Sequence, residues 1–232
     1  MADIRINGRR IPALQAIDNG QLLVKRLEAI GQRNNTALTG LLLNGRACEI
    51  ENAELARLKF ETDDTVDARM ETREQLSYES LQVAQEMAEL LVFDLKVATL
   101  KMWDNHRYFE KSLETLLSDC NLFLSLGARP LELLEFNLTE LSTSSEGCLR
   151  QLDAIANHIE DATLLAVHGE PRDSCHVLVA RVLPAIERWL GLTAVFAQEL
   201  EIDKVQIPTI ITEGVPGLAH AGSGHLKAVA EN

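Results

Sequence analysis

The sequence predicts an α+β, predominantly helical fold: a small ββαββ, β-grasp-like N-terminal cap followed by an up-and-down four-helix bundle. Three observations carry that reading. Residues 72–127 hold no Pro and a single Gly at the end, and repeat apolar residues at helical spacing. Two Asn-Gly pairs, Asn7-Gly8 and Asn44-Gly45, sit between alternating segments near the N-terminus. Asn-Gly suits the type I′ turn, whose two central residues need positive φ. Beyond Lys204 the helical period is lost and Gly and Pro accumulate. The expected divisions are a cap over 1–66, a bundle over 70–204 and a flexible tail over 205–232.

The cap opens with Ile4 and Ile6 alternating with polar residues up to the first Asn-Gly turn. A helix is expected over Gln21–Gln32, with Leu22, Leu23, Leu27 and Ile30 as its buried stripe. Asp18 or Asn19 would cap its start, and Gly31 or Asn34 would stop it. Residues 38–49 form a second hairpin, and Arg57–Thr62 alternates through Leu58 and Phe60 as a further strand. Asp63–Asp67 is polar and turn-prone, which marks it as the boundary with the bundle.

Thr72 and Gln75 make a capping box for the next helix. Its core face is read as Leu76, Val83, Ala84, Met87, Leu90, Leu91, Leu95, Ala98 and Met102. The phase is lost at Trp103–His106. A third helix carries Phe109, Leu113, Leu116, Leu117, Cys120, Phe123 and Leu124, and stops at Gly127 with Pro130 beyond. Residues 131–141 form a short amphipathic stretch. Ser144 or Ser145 caps a helix bearing Cys148, Leu152, Ile155, Ile159, Ala162 and Ala166, ended by His168–Pro171. Asp173 or Ser174 caps the last, with Val179, Val182, Ile186, Trp189, Leu190, Phe196 and Leu200 inward. Pro184 there requires a kink or a restart.

The 232 residues carry a net charge of −13 and only 4% aromatic residues against 46% hydrophobic. The core is therefore aliphatic, and the acidity disfavours nucleic acid as a partner. Residues 1–48 hold seven Lys+Arg against three Asp+Glu, a net +4, and the remainder sums to −17. The expected explanation of that asymmetry is mutual attraction of cap and bundle, or plain solvated charge. Cys48, Cys120, Cys148 and Cys175 stand singly, and no apolar run reaches the roughly 18 residues that span a bilayer. The N-terminus lacks a signal-peptide core. The expectation is a reducing, cytoplasmic setting with no membrane association.

No cofactor, metal or catalytic set is expected. The chain has no Glu-x-x-His, no phosphate-binding Gly loop and no zinc spacing. Cys175-His176 is the nearest approach to a nucleophile and base, but adjacent helical residues point about 100° apart. The candidate protein-binding residues are the aromatic cluster Trp103, Tyr108 and Phe109, a basic patch around the hairpin turns (Arg5, Arg9, Arg10, Arg46), and Val205 and Ile207 of an apolar tail segment. In layout and acidity alone, with no shared motif, the bundle resembles the small cytoplasmic export chaperones of secretion systems. The expected role is a non-enzymatic cytoplasmic adaptor, scaffold or chaperone-like module, binding a protein partner, itself, or both. The alternatives are an enzyme with a site between cap and bundle around Cys175, His176 and the cap arginines, and a nucleic-acid-linked regulator using the basic cap.

Overall fold

The computed structural model of the chain describes residues 2–49, 57–101, 106–134 and 143–200, with the side chains of 101 and 106–110 outside that description. The fold is α+β and predominantly helical, and it divides into two compact units that meet in sequence at Arg73 and Glu74.

The first unit is a mixed five-stranded sheet in the order β2-β1-β5-β3-β4. Its strands are β1 (Asp3–Ile6), β2 (Arg9–Arg10), β3 (Thr36–Leu43), β4 (Arg46–Cys48) and β5 (Thr65–Thr72). Strand β5 lies in the centre, parallel to β1 and antiparallel to β3. Its Val66, Ala68 and Met70 are buried, alternating with Asp67, Arg69 and Glu71. The segment read as a polar boundary therefore contains the start of the central strand. Helix α1 (Gly20–Asn34) adds Leu23, Leu27 and Ile30 to the same core, joined by Ile4, Ile6, Leu14 and Leu41. Leu22, expected in the stripe, is exposed.

Both Asn-Gly turns form as expected, with positive φ at Asn7, Gly8, Asn44 and Gly45. Each asparagine also completes the edge of the central strand. Asn7 donates from Nδ2 to the Met70 carbonyl at 2.8 Å and accepts from the Met70 N–H at 2.9 Å. Asn44 accepts from the Thr65 N–H at 2.8 Å. The Asn44 amide, and then the Glu61 N–H, hold the Asp64 carboxyl below its usual range. Asn19 caps α1 by accepting from the Leu22 N–H. The helix ends at Asn34, the second of the two expected stops, with Asn35 as a left-handed C-cap. Gly31 serves close packing instead: a Cβ there would stand 2.7 Å from the Thr36 carbonyl oxygen. Residues 57–60 do not join the sheet. Lys59 bridges Asn19 alone, while Leu58 and Phe60 rest against the core.

The second unit contains α2 (Arg73–Lys101), α3 (His106–Leu134), α4 (Thr143–Val167), α5 (Pro171–Val177), a π turn (Leu178–Val182) and α6 (Leu183–Glu199). One aliphatic core joins them, with Phe123 meeting Trp189 edge-on at 5.0 Å between ring centres. Helix α2 runs antiparallel to α3, for Ser77 near its start donates to the Pro130 carbonyl near the end of α3 at 2.8 Å. It runs antiparallel to α6 as well, through Gln85 to Thr193 and Lys96 to Glu187.

Two expected helix boundaries move. Helix α3 does not stop at Gly127 but continues through Pro130 to Leu134. Proline in a helix interior costs about 3 kcal/mol. Burial of Leu131 and Leu134, with the Ser77 hydrogen bond, offsets that cost. Gly127 admits neighbours: an added Cβ would lie 2.9 Å from Leu152 Cδ2. Helix α5 starts at Pro171, not at Asp173 or Ser174, and the Ser174 hydroxyl instead donates to the Ala162 carbonyl. The restart expected at Pro184 takes the form of the π turn, where the Leu183 N–H reaches back to the Leu178 carbonyl. The wider turn relieves the contact between the proline ring and the preceding turn. The amphipathic reading of 131–141 is covered only to Leu134, and the rest of it lies outside the described residues.

Candidate functional site

Helix α2 is apolar on two opposite sides. Leu81, Ala84, Ala88, Leu91, Leu95 and Ala98 follow steps of three and four, and all are buried. A second series, Val83, Leu90, Phe93, Val97 and Leu100, follows steps of seven, three, four and three. At 100° per residue its centre lies about 160° around the helix from the first. Val83 is 51% exposed, Leu90 63%, Phe93 65% and Leu100 78%. Val97 is half-buried. Full burial of a side chain of this size is worth about 1.5–3 kcal/mol, so the outer series is a substantial unused surface.

The reading of one α2 face merges these two series, placing Val83 and Leu90 in the core. The structure turns both outward. The consecutive run Leu90-Leu91-Val92-Phe93 is the signal: four successive apolar residues sweep most of a helix circumference and cannot all face one side.

Glu86, Glu89, Asp94 and Lys96 border the outer series. Burial, then the charge of Asp94, raise the carboxyl of Asp119 on α3 above its ordinary value. Beside Val83, a groove of about 280 Å³ is lined by Glu79, Ser80, Leu126 and Arg129. A second groove, of about 400 Å³, lies between α3 and the α4–α5 turn, lined by Leu113, Glu114, Leu117, Val167 and Pro171 among others. The first is mainly apolar and the second nearly balanced between polar and apolar surface, with Glu79, Arg129 and Glu114 as their charged lining residues.

The expected basic patch is taken apart by the topology. Arg9 lies on β2 and Arg46 on β4, the two outer strands of the sheet, about 19 Å apart across four strand spacings. The two hairpin turns also meet opposite ends of β5, at Met70 and at Thr65. Arg5 and Arg10 share one carboxylate, Asp3, which leaves a net charge of +1 among the three. Trp103, Val205 and Ile207 lie outside the described residues. Tyr108 and Phe109 fall at the start of α3, with their side chains outside the description.

Cys175 is fully buried against α4 while His176 is exposed, so the two do not meet. Burial raises the Cys175 thiol above its ordinary value. Burial, then Asp119, push Cys120 up to about 12. Burial, then Glu199, push Cys148 up to about 11. Such thiols are poor nucleophiles, because the reactive form is the thiolate. Among the described residues no three His, Cys, Asp or Glu side chains gather to hold a metal ion, and no helix is long and apolar enough to cross a membrane.

No protein-family model, no curated protein and no solved structure matches this chain.

Proposed function

We propose that this protein is a non-enzymatic adaptor or scaffold of the cytoplasm, a β-grasp-like unit followed by an up-and-down four-helix bundle in which α5, the π turn and α6 act as one rod. Protein binding is its activity, and the outer face of α2 is the binding surface. The observation that carries this reading is the exposed apolar series from Val83 to Leu100 on a helix whose other side is already packed. An apolar strip at i, i+3, i+7 spacing is the pattern by which helices recognise grooves or other helices. The reactive alternatives have less support, because Cys175 is held as a buried neutral thiol.

The test is affinity capture from native cells with the full chain and with a Leu90→Glu/Phe93→Glu variant. Both positions are exposed, so the variant is expected to fold, checked by its far-ultraviolet circular dichroism. The expected result is that proteins retained by the wild type are lost from the variant. Capture of the same proteins at the same yield by both would remove α2 from the interaction.

A further inference from the structure

We infer that the occupant of the outer α2 face is a second copy of this chain, its own α2 lying antiparallel in a short two-stranded coiled coil. This rests on the protein-binding reading of that face and names its partner.

The spacing supplies the first argument. Taking Val83, Leu90 and Val97 as positions a, Glu86, Phe93 and Leu100 become positions d. A repeat of 3.5 residues is the period at which one helix keeps its seam against another of like geometry. The seam runs for 18 residues from Val83 to Leu100, about 27 Å at 1.5 Å per residue. An antiparallel register centred between residues 91 and 92 sets Leu90 against Phe93 of the second copy and Val83 against Leu100, each pair occurring twice. Val97 then meets Glu86, also twice, so two symmetry-related layers of the six contain a carboxylate.

Flanking charges choose the orientation. Positions g are Gln82, Glu89 and Lys96; positions e are Met87, Asp94 and Lys101. A parallel pair brings g against e five residues on, matching Glu89 with Asp94 and Lys96 with Lys101, both of like charge. An antiparallel pair brings g against g, matching Glu89 with Lys96 twice over. Lys96 already meets Glu187 of its own chain at 2.8 Å, and it is exposed enough to serve both carboxylates.

Area supplies the third argument. The exposed fractions of Val83, Leu90, Phe93 and Leu100, with half-buried Val97, leave on the order of 500 Å² uncovered per chain. Two copies would bury about 1,000 Å², the lower bound for a specific interface. The dimer is accordingly of modest affinity and concentration-dependent.

Sedimentation equilibrium of the purified full chain tests this directly. The expected result is a concentration-dependent approach to twice the 25.7 kDa of one chain. Leu90→Glu/Phe93→Glu should remain at one chain mass throughout, with unchanged circular dichroism. Glu89→Lys should weaken association about tenfold, as the introduced ammonium then faces Lys96 of the second copy, and adding Lys96→Glu should restore it. Glu86→Leu should tighten association by making both Glu86–Val97 layers apolar. A wild-type chain that stays at single mass overturns the inference, and so does a dimer insensitive to Leu90→Glu/Phe93→Glu. Tighter association in Glu89→Lys would overturn the antiparallel orientation. A monomeric wild type whose captured proteins are still lost in Leu90→Glu/Phe93→Glu would sink this inference alone and leave the protein-binding reading standing.

Discussion

Cys120, Cys148 and Cys175 occupy the helical core as small apolar residues, and Cys48 sits half-buried in the sheet unit. Their protonation makes a residue-scale prediction. Cys120 titrates near 12 in the folded chain against an ordinary value near 9, so folding favours its neutral thiol. A folded-state value above the unfolded one contributes stability that is whole below pH 9 and is lost as pH climbs from 9 towards 12. Chemical unfolding followed across that range should show falling stability, with Cys120→Ala, though less stable at neutral pH, losing less of its stability over the interval. Aromatic disulfide reagents at neutral pH should label Cys48 rapidly in the native chain and all four thiols only after unfolding. Rapid native labelling of Cys175 would contradict its burial. The two turn asparagines belong to this scale as well. Their positive φ was readable from Asn-Gly, but their bonds to Met70 and Thr65 depend on a strand more than 20 residues away, beyond any local pattern.

At the scale of one element, α2 gives neighbouring residues opposite duties. Leu91 is 1% exposed, and its replacement by Ala should cost about 2–5 kcal/mol. Leu90→Ala, measured on the isolated chain at dilute concentration, should change stability by about 0.5 kcal/mol or less. Urea denaturation of both variants checks the pair, and equal losses would refute the division of faces. How much of this was legible follows from the same physics. The existence and approximate length of α1, α2 and α4 could be read from periodicity, since a repeated apolar step survives without knowledge of the partner. The separation of α2 into two sides could not be fixed by eye, because with Leu and Val at 90, 91 and 92 several rotations fit nearly equally well. Strand β5 was legible and misread. Thr-Val-Asp-Ala-Arg-Met-Glu-Thr alternates as cleanly as any strand here, but the preceding Asp63-Asp64 suggested a turn that ran too far. The end of α3 was hidden for a different reason: Gly127 and Pro130 are stop signals locally, and only the packing of Leu131, Leu134 and Ser77 overrides them. Of the candidate binding residues, Arg9 and Arg46 were identifiable as exposed, but their placement on opposite edges depends on strand order.

For the whole molecule, the point at which the two units meet matters most. The sheet is incomplete without β5, whose last residue, Thr72, is followed directly by the first residue of α2. A fragment ending at residue 66 lacks nearly all of the central strand and should show no cooperative unfolding. A fragment of residues 1–73 should retain the sheet unit and melt cooperatively. Circular dichroism melts of both fragments decide the matter, and a cooperative transition in the shorter one would show that the hairpins fold without their centre. The strand order has a further consequence for birth on the ribosome. The β1–β2 and β3–β4 hairpins emerge early and lie on either side of a gap that β5 fills later. Until residue 72 has emerged, each nascent hairpin offers a bare rim to any neighbouring chain, so the interval between the first and last strand is when misassembly is most open.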